Sequence, residues 1–206
     1  MLNLSTAYKK KLAEWNASDP RTIESIGTRA EFVVAETLIP LDNLFCFHHL
    51  PGAIGESRFE IDLLVVSPLD QIFILEVKAY SGRFIADKDP FYLQKITRDG
   101  QKQLKNPVPQ VKRTARLFRS FLTSNGYDIP VMPVVVVTGR FLMSPTIVDA
   151  FENETEVIFS TPEHLPLLLG KYTGKLFEYK TKTFELIEFI TQAVGDPILF
   201  PTSLLP

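Results

Sequence analysis

Three residues at short spacing could support hydrolytic chemistry: carboxylates at Asp62 and Glu76 and an amine at Lys78. In the run from Ile72 to Lys78, alternation puts Ile72, Ile74, Glu76 and Lys78 on one face and Phe73, Leu75 and Val77 on the other. Both faces are otherwise apolar, so a buried strand ends in charge. The run from Phe59 to Val66 is interrupted in a similar way, with Glu60, Asp62, Leu64 and Val66 on one face opposite Ile61, Leu63 and Val65. Thirteen residues separate Asp62 from Glu76, and antiparallel pairing through a turn near Pro68 sets the two carboxylates side by side. Half-buried charges cost several kcal/mol per ion unless they are paired or bind a metal. A hard divalent cation resolves that repulsion. Mg²⁺ takes carboxylate oxygens and keeps several waters, so an Asp, a Glu and one main-chain carbonyl make a partial shell. Lys78 would stand beside a metal-bound water, to help deprotonate it or to steady charge developing on a phosphate under attack. The plainer account of Glu-x-Lys is an exposed edge-strand ion pair. Three features of context favour a site: the apolar strand before Glu76, Asp62 in the preceding strand, and the turn Tyr80-Ser81-Gly82 after it.

Several elements must position these groups. Residues Ser5 to Asn16 carry Leu12 and Trp15 at roughly helical spacing. In Thr22 to Leu38, residues Ile23, Ile26, Ala30, Val33, Val34, Thr37 and Leu38 mark a helix that stops before Pro40. Strands are expected over Leu44 to Leu50, Phe59 to Val66 and Ile72 to Tyr80, paired as a meander. A smaller hairpin joins Arg83 to Ala86 with Phe91 to Ile96. Pro109 opens a second long helix, with Val111, Ala115, Phe118 and Leu122 on one face, ending near Asn125-Gly126. Val131 to Thr138, β-branched almost throughout, reads as a strand buried on both faces at the sheet centre. Val157 to Ser160 suits a further strand, Glu163 to Leu169 and Lys182 to Val194 suit covering helices, and the tail from Asp196 to Pro206 reads as extended. Helix, three strands, helix, strand is an α/β order.

At 206 residues and 45% hydrophobic composition, the chain can bury a core of its own, so disorder is excluded and one domain is expected over 1–206. Within it, 22–140 form the core and 141–206 a C-terminal elaboration packed on that core. The longest apolar run is too short to span a bilayer, and the basic cluster Lys9 to Lys11 follows a polar stretch, unlike a secretory signal. A cytoplasmic, membrane-independent protein is the expectation. Cys46 lies in an apolar run and reads as a core side chain. His48 and His49, adjacent on a strand, should point to opposite faces, which argues against a two-histidine metal site and for structural roles. His164 is isolated, and no phosphate loop or dinucleotide fingerprint occurs. Oligomeric state is not legible.

Gly27 and Glu31 in the first long helix, Glu60-Ile61-Asp62, Glu76-Val77-Lys78 with Tyr80-Ser81-Gly82, Asn106-Pro107 and Gln110 together resemble the nuclease-related domain, NERD. That family belongs to the PD-(D/E)xK superfamily of restriction-endonuclease-like nucleases. The resemblance covers roughly Ile23 to Thr138, with several motifs in the family's order. One local departure is Phe91-Tyr92, where many NERD sequences carry a tryptophan after the Gly-rich turn. The resemblance implies a restriction-endonuclease-like core with a mixed central sheet flanked by helices. It also implies a Mg²⁺- or Mn²⁺-dependent phosphodiesterase cleaving DNA by attack of a metal-bound water. Asp62, Glu76 and the carbonyl of Val77 would hold the metal, with Lys78 beside the nucleophile. By the same analogy Glu31 projects toward the metal from the first long helix and Gln110 approaches from the second. The alternative is a non-catalytic nucleic-acid-binding or assembly module that keeps the fold.

The net charge of −2 hides a local basic segment: Lys95, Arg98, Lys102, Lys105, Lys112, Arg113, Arg116 and Arg119, against the single acid Asp99. On the second long helix, Lys112, Arg116 and Arg119 follow i, i+4, i+7 spacing and form a stripe beside the apolar face. Such a stripe suits phosphate contacts that orient nucleic acid without reading its sequence.

Overall fold

Apolar runs in the middle of the chain become strands because each must be covered on both faces, and the long amphipathic helices supply the cover. The computed structural model describes residues 2–4, 6–17, 23–41, 44–143, 156–172, 181–194 and 198–201. Strands β2 (Phe45–Ile54), β3 (Ser57–Ser67) and β4 (Gln71–Lys78) form the expected antiparallel meander. Strand β8 (Val131–Val137) then lies parallel to β4. Among the described residues these strands belong to a seven-stranded mixed sheet ordered β1-β11-β2-β3-β4-β8-β10, completed by β1 (Leu2–Leu4), β10 (Ile158–Ser160) and β11 (Leu199–Pro201). The expected α/β core of helix, meander, helix and strand is present. β8 is interior but not central, since only β10 lies beyond it.

Helix α3 (Pro107–Ser124) and helix α5 (Thr181–Val194) cover one face, where Val111, Phe118, Leu186 and Ile190 meet Ile72, Ile74, Leu64 and Val135. Helix α2 (Ile23–Thr37) and the short α4 (Leu165–Gly170) cover the other, against Leu63, Val65, Phe73, Leu75 and Val77. Helix α1 (Thr6–Ala17) packs beside α2. The buried stripe of α2 is Ala30, Phe32, Val34 and Ala35, continued by Leu38 in the turn after it, whereas Ile26 and Val33 remain 45% and 38% exposed. The apolar arc of this helix is wider than its contact with the sheet. No helix among the described residues is long and apolar enough to cross a membrane.

A second sheet, ordered β7-β6-β5-β9, stands beyond the end of β4. The expected hairpin is present as β5 (Gly82–Ala86) and β6 (Tyr92–Thr97), to which the structure adds β7 (Gly100–Lys105) and β9 (Phe141–Met143). The sequence of β7, GQKQLK, carries no apolar period. It is a strand because β6 offers a full pairing edge, from Tyr92–Lys105 to Thr97–Gly100. Two glycines tie this sheet to the first. Gly82 turns the chain at φ 108 and donates its N–H to the Arg140 carbonyl at 2.8 Å. A Cβ on Gly139 would fall 2.0 Å from the Tyr80 carbonyl oxygen. The tail supplies β11, which pairs with β1 and β2; 195–197 and 202–206 lie outside the described residues.

One departure from simple alternation reshapes the site. Phe47 and Leu50 on β2 both join the core on the α3 side, and so do Ile61 and Leu64 on β3. Residues three apart should lie on opposite faces of a regular strand, so both strands shift phase between those positions. At that point His49 takes a left-handed backbone, φ 59. The β2–β3 register is the same on either side, His48 opposite Leu63 and Leu50 opposite Ile61, because both strands shift together. The expected face shared by Asp62, Leu64 and Val66 and opposed by Ile61 is therefore corrected: Ile61 sides with Leu64 and Val66. β2 also continues through Pro51 and Gly52 to Ile54 instead of ending at Leu50.

Candidate active site

The β3–β4 ladder runs from Ser67–Gln71 to Leu63–Leu75 and ends one step before Asp62 would face Glu76. Beyond that step the strands hold together differently. The N–H of Val77 donates to Asp62 Oδ2 at 2.8 Å, so a side chain takes the place of the β3 backbone. The N–H and C=O of a strand residue point to the same side, so the Val77 carbonyl also faces this gap. Lys78 presents its carbonyl the other way, to the N–H of Thr138 on the β8 side at 3.1 Å. The opening in the ladder thus gathers the Asp62 carboxylate and the Val77 carbonyl in the plane of the sheet.

Glu76 is only 2% exposed, and its carboxylate pairs with the Lys78 ammonium. Burial, and next the charge of Asp62, push the Glu76 carboxyl up to about 7. Asp62 is also raised, first by burial and then by the charge of Glu31. Burial alone would lower Lys78, but the Glu76 carboxylate, with a further contribution from Asp62, outweighs it and lifts the ammonium above its ordinary value. Three carboxylates therefore share one field, with Lys78 as the cation that partly offsets it. Tyr80 closes the end of β4, its hydroxyl donating to the Lys105 carbonyl at 2.7 Å and its ring stacked on Phe84.

Glu31 reaches the site edge from α2 but is held by histidine: His48 Nε2 lies 2.6 Å and His49 Nδ1 3.9 Å from its Oε2. The expectation that adjacent histidines point apart fails here, because the left-handed turn at His49 brings its ring to the same carboxylate as His48. Sequence reasoning missed both. The adjacent His-His pair was the available signal, but strict alternation hid its shared partner on α2.

Gln110 is exposed in the first turn of α3 and lines a shallow cleft with Arg58, Glu60 and Arg113. Asn106, beside it in the motif, serves the fold. Its side chain accepts from the Val108 N–H to cap α3 and donates to the Pro90 carbonyl.

The basic residues divide into two groups. Lys95 and Lys102 face each other directly across β6 and β7, with Arg98 at the intervening turn and Lys105 at the far end of β7. The α3 residues Lys112, Arg113, Arg116 and Arg119 line an open groove of about 940 Å³. Much of that stripe is engaged by the fold. Lys112 pairs with Glu156 at 2.7 Å, Arg113 donates to the Arg58 carbonyl, Arg116 to the Lys112 carbonyl, and Arg119 to the Val131 carbonyl at 3.1 Å.

A family model described as the nuclease-related domain, NERD, matches residues 26–138, a span from α2 through the end of β8 that contains every carboxylate of the site. No curated protein and no solved structure matches the chain.

Proposed function

The chain belongs to the nuclease-related domain family, and from that premise we propose that it is a Mg²⁺- or Mn²⁺-dependent phosphodiesterase acting on DNA. The observation that carries this reading is the opened ladder: a deeply buried Glu76 beside Asp62, with a main-chain carbonyl turned into the same gap. Two crowded carboxylates with raised proton affinity and a neighbouring carbonyl are an oxygen donor set suited to a hard divalent ion. Asp62, Glu76 and the Val77 carbonyl would hold it. When bound, the ion supplies positive charge to the carboxylates and Lewis acidity toward a phosphoryl oxygen.

The chain's own groups do the rest. The Val77 N–H orients the Asp62 carboxylate, leaving its second oxygen for a ligand. Lys78, paired with the Glu76 carboxylate, would steady negative charge on the phosphate or help deprotonate the attacking water. Glu31 adds negative field at the edge of the site. Gln110 lies in the first turn of α3, in a cleft it shares with Glu60. The β6–β7 hairpin and α3 offer positive charge to the DNA backbone.

A second reading, a non-catalytic nucleic-acid-binding module, draws on the Lys78–Glu76 ion pair, which offsets the buried charge without any metal. Incubation of the pure chain with plasmid and with single-stranded and duplex oligonucleotides, in Mg²⁺, Mn²⁺ or EDTA, separates the two. The nuclease reading expects metal-dependent cleavage that disappears in Glu76→Gln. Binding without cleavage of any substrate in either metal would select the second.

A further inference from the structure

The other cluster of metal-ligating side chains among the described residues contains nitrogen as well as oxygen: Glu31, His48 and His49, with ligand atoms all within 4.8 Å of one another. The Glu31 Oε2 stands 2.6 Å from His48 Nε2 and 3.9 Å from His49 Nδ1. In a tetrahedral site with bonds of about 2.0–2.1 Å, ligand atoms are separated by about 3.3 Å, a length that falls between those two. The remaining nitrogen of His49, Nε2, lies 2.6 Å from Glu60 Oε1. An imidazole that turns one nitrogen to a cluster and the other to a carboxylate has the arrangement by which proteins orient a metal-bound histidine.

Burial gives the cluster a floor and a mouth. The His48 and Glu31 side chains are 6% and 12% exposed, while His49 is 56% exposed, so solvent reaches the group from one side. The backbone of His49 is held at φ 59, a conformation that costs a non-glycine residue roughly 1–2 kcal/mol. The hairpin turn, at Gly55, does not require it. Its geometric effect is to set two neighbouring imidazoles around one carboxylate.

We propose that Glu31, His48 and His49 form a binding site for a divalent first-row transition ion, with Glu60 as a positioning residue, distinct from the Asp62–Glu76 pair. Two imidazoles and one carboxylate suit Zn²⁺ or Co²⁺ and are poorly matched to Mg²⁺ or Ca²⁺, which take oxygen. Zn²⁺ is the probe for affinity and Co²⁺ for geometry.

The test uses the full chain, stripped of metal by chelation, and reads binding without reference to cleavage. Titration calorimetry with Zn²⁺ and visible absorption with Co²⁺ are run on the wild type and on Glu76→Gln, which breaks the carboxylate pair. The site should persist in Glu76→Gln, with the intense ligand-field bands of four-coordinate Co²⁺. In that background His49→Asn, which tolerates the left-handed backbone while removing the imidazole, should weaken Zn²⁺ at least tenfold. Glu60→Gln should weaken it by about tenfold. Zn²⁺ affinity lost with Glu76→Gln, or unchanged by His49→Asn, would overturn the proposal. Circular dichroism confirms that each variant is folded. Because no arm reads nucleic-acid cleavage, failure here leaves the Mg²⁺-dependent reading standing, and the reverse also holds.

Discussion

At the level of single residues, Glu76 ties stability to pH in an uncommon direction. Its carboxyl ionises near 4.5 when unfolded and near 7 when folded, because burial and then Asp62 oppose the charge. Between those values the folded state binds more protons, so stability should fall as pH rises from about 4.5 to about 7 and then level off. The loss is on the order of 3 kcal/mol in metal-free buffer. Urea denaturation at pH 5 and pH 8 checks this; Glu76→Gln should flatten the profile, and a wild type equally stable at both values would refute it. A divalent ion that binds the folded state should restore stability at pH 8 by mass action. Lys78→Ala should spare metal binding, measured by calorimetry, and slow cleavage roughly a hundredfold, since it removes charge stabilisation only from the reaction. Asp62, Glu76 and Lys78 were legible in the sequence because charge interrupts otherwise apolar strands. The histidine partnership of Glu31 was not, because it depends on one backbone angle at His49 that no residue pattern spells out.

Among the elements, Asp62 acts as a cap where a strand pair opens. Asp62→Ala would leave the buried Val77 N–H without its acceptor and should cost about 1–3 kcal/mol. Asp62→Asn keeps a side-chain acceptor, relieves the repulsion with Glu76, and should be the more stable of the two in metal-free buffer. Equal denaturation midpoints for both variants would show that the N–H is satisfied by something else. The meander and both long helices followed from the pattern of apolar residues each sequence displays, and β8 from an apolar run, β-branched almost throughout, that is buried on both faces. β7 did not, because its pairing edge is provided by β6 and its own side chains are polar. The reach of α2 was overestimated for the converse reason: Ile26 and Val33 extend an apolar arc beyond what the sheet covers.

For the molecule as a whole, the path of nucleic acid should be set by which basic groups the fold leaves available. Lys95 and Lys102, like charges directly opposed across two strands, disfavour the hairpin unless an anion lies between or above them. The double variant Lys95→Gln/Lys102→Gln should weaken DNA binding across sequences and reduce the salt slope by about two, read from binding isotherms at several salt concentrations. An unchanged slope would exclude these lysines from phosphate contact. The triple variant Lys112→Gln/Arg116→Gln/Arg119→Gln should lose stability as well as affinity, since Lys112 and Arg119 also anchor Glu156 and the Val131 carbonyl. The matched phase shift in β2 and β3 bears on how such a chain can change over generations. Deleting one residue near His49 would set Phe47 and Leu50 two apart, on one face of a regular strand, but would leave Asp62 an unmatched bulge in β3 and displace the acceptor of the Val77 N–H; deleting one near Asp62 would strand His49 in the same way. Length changes in these two strands should therefore be tolerated only in pairs, one in each strand.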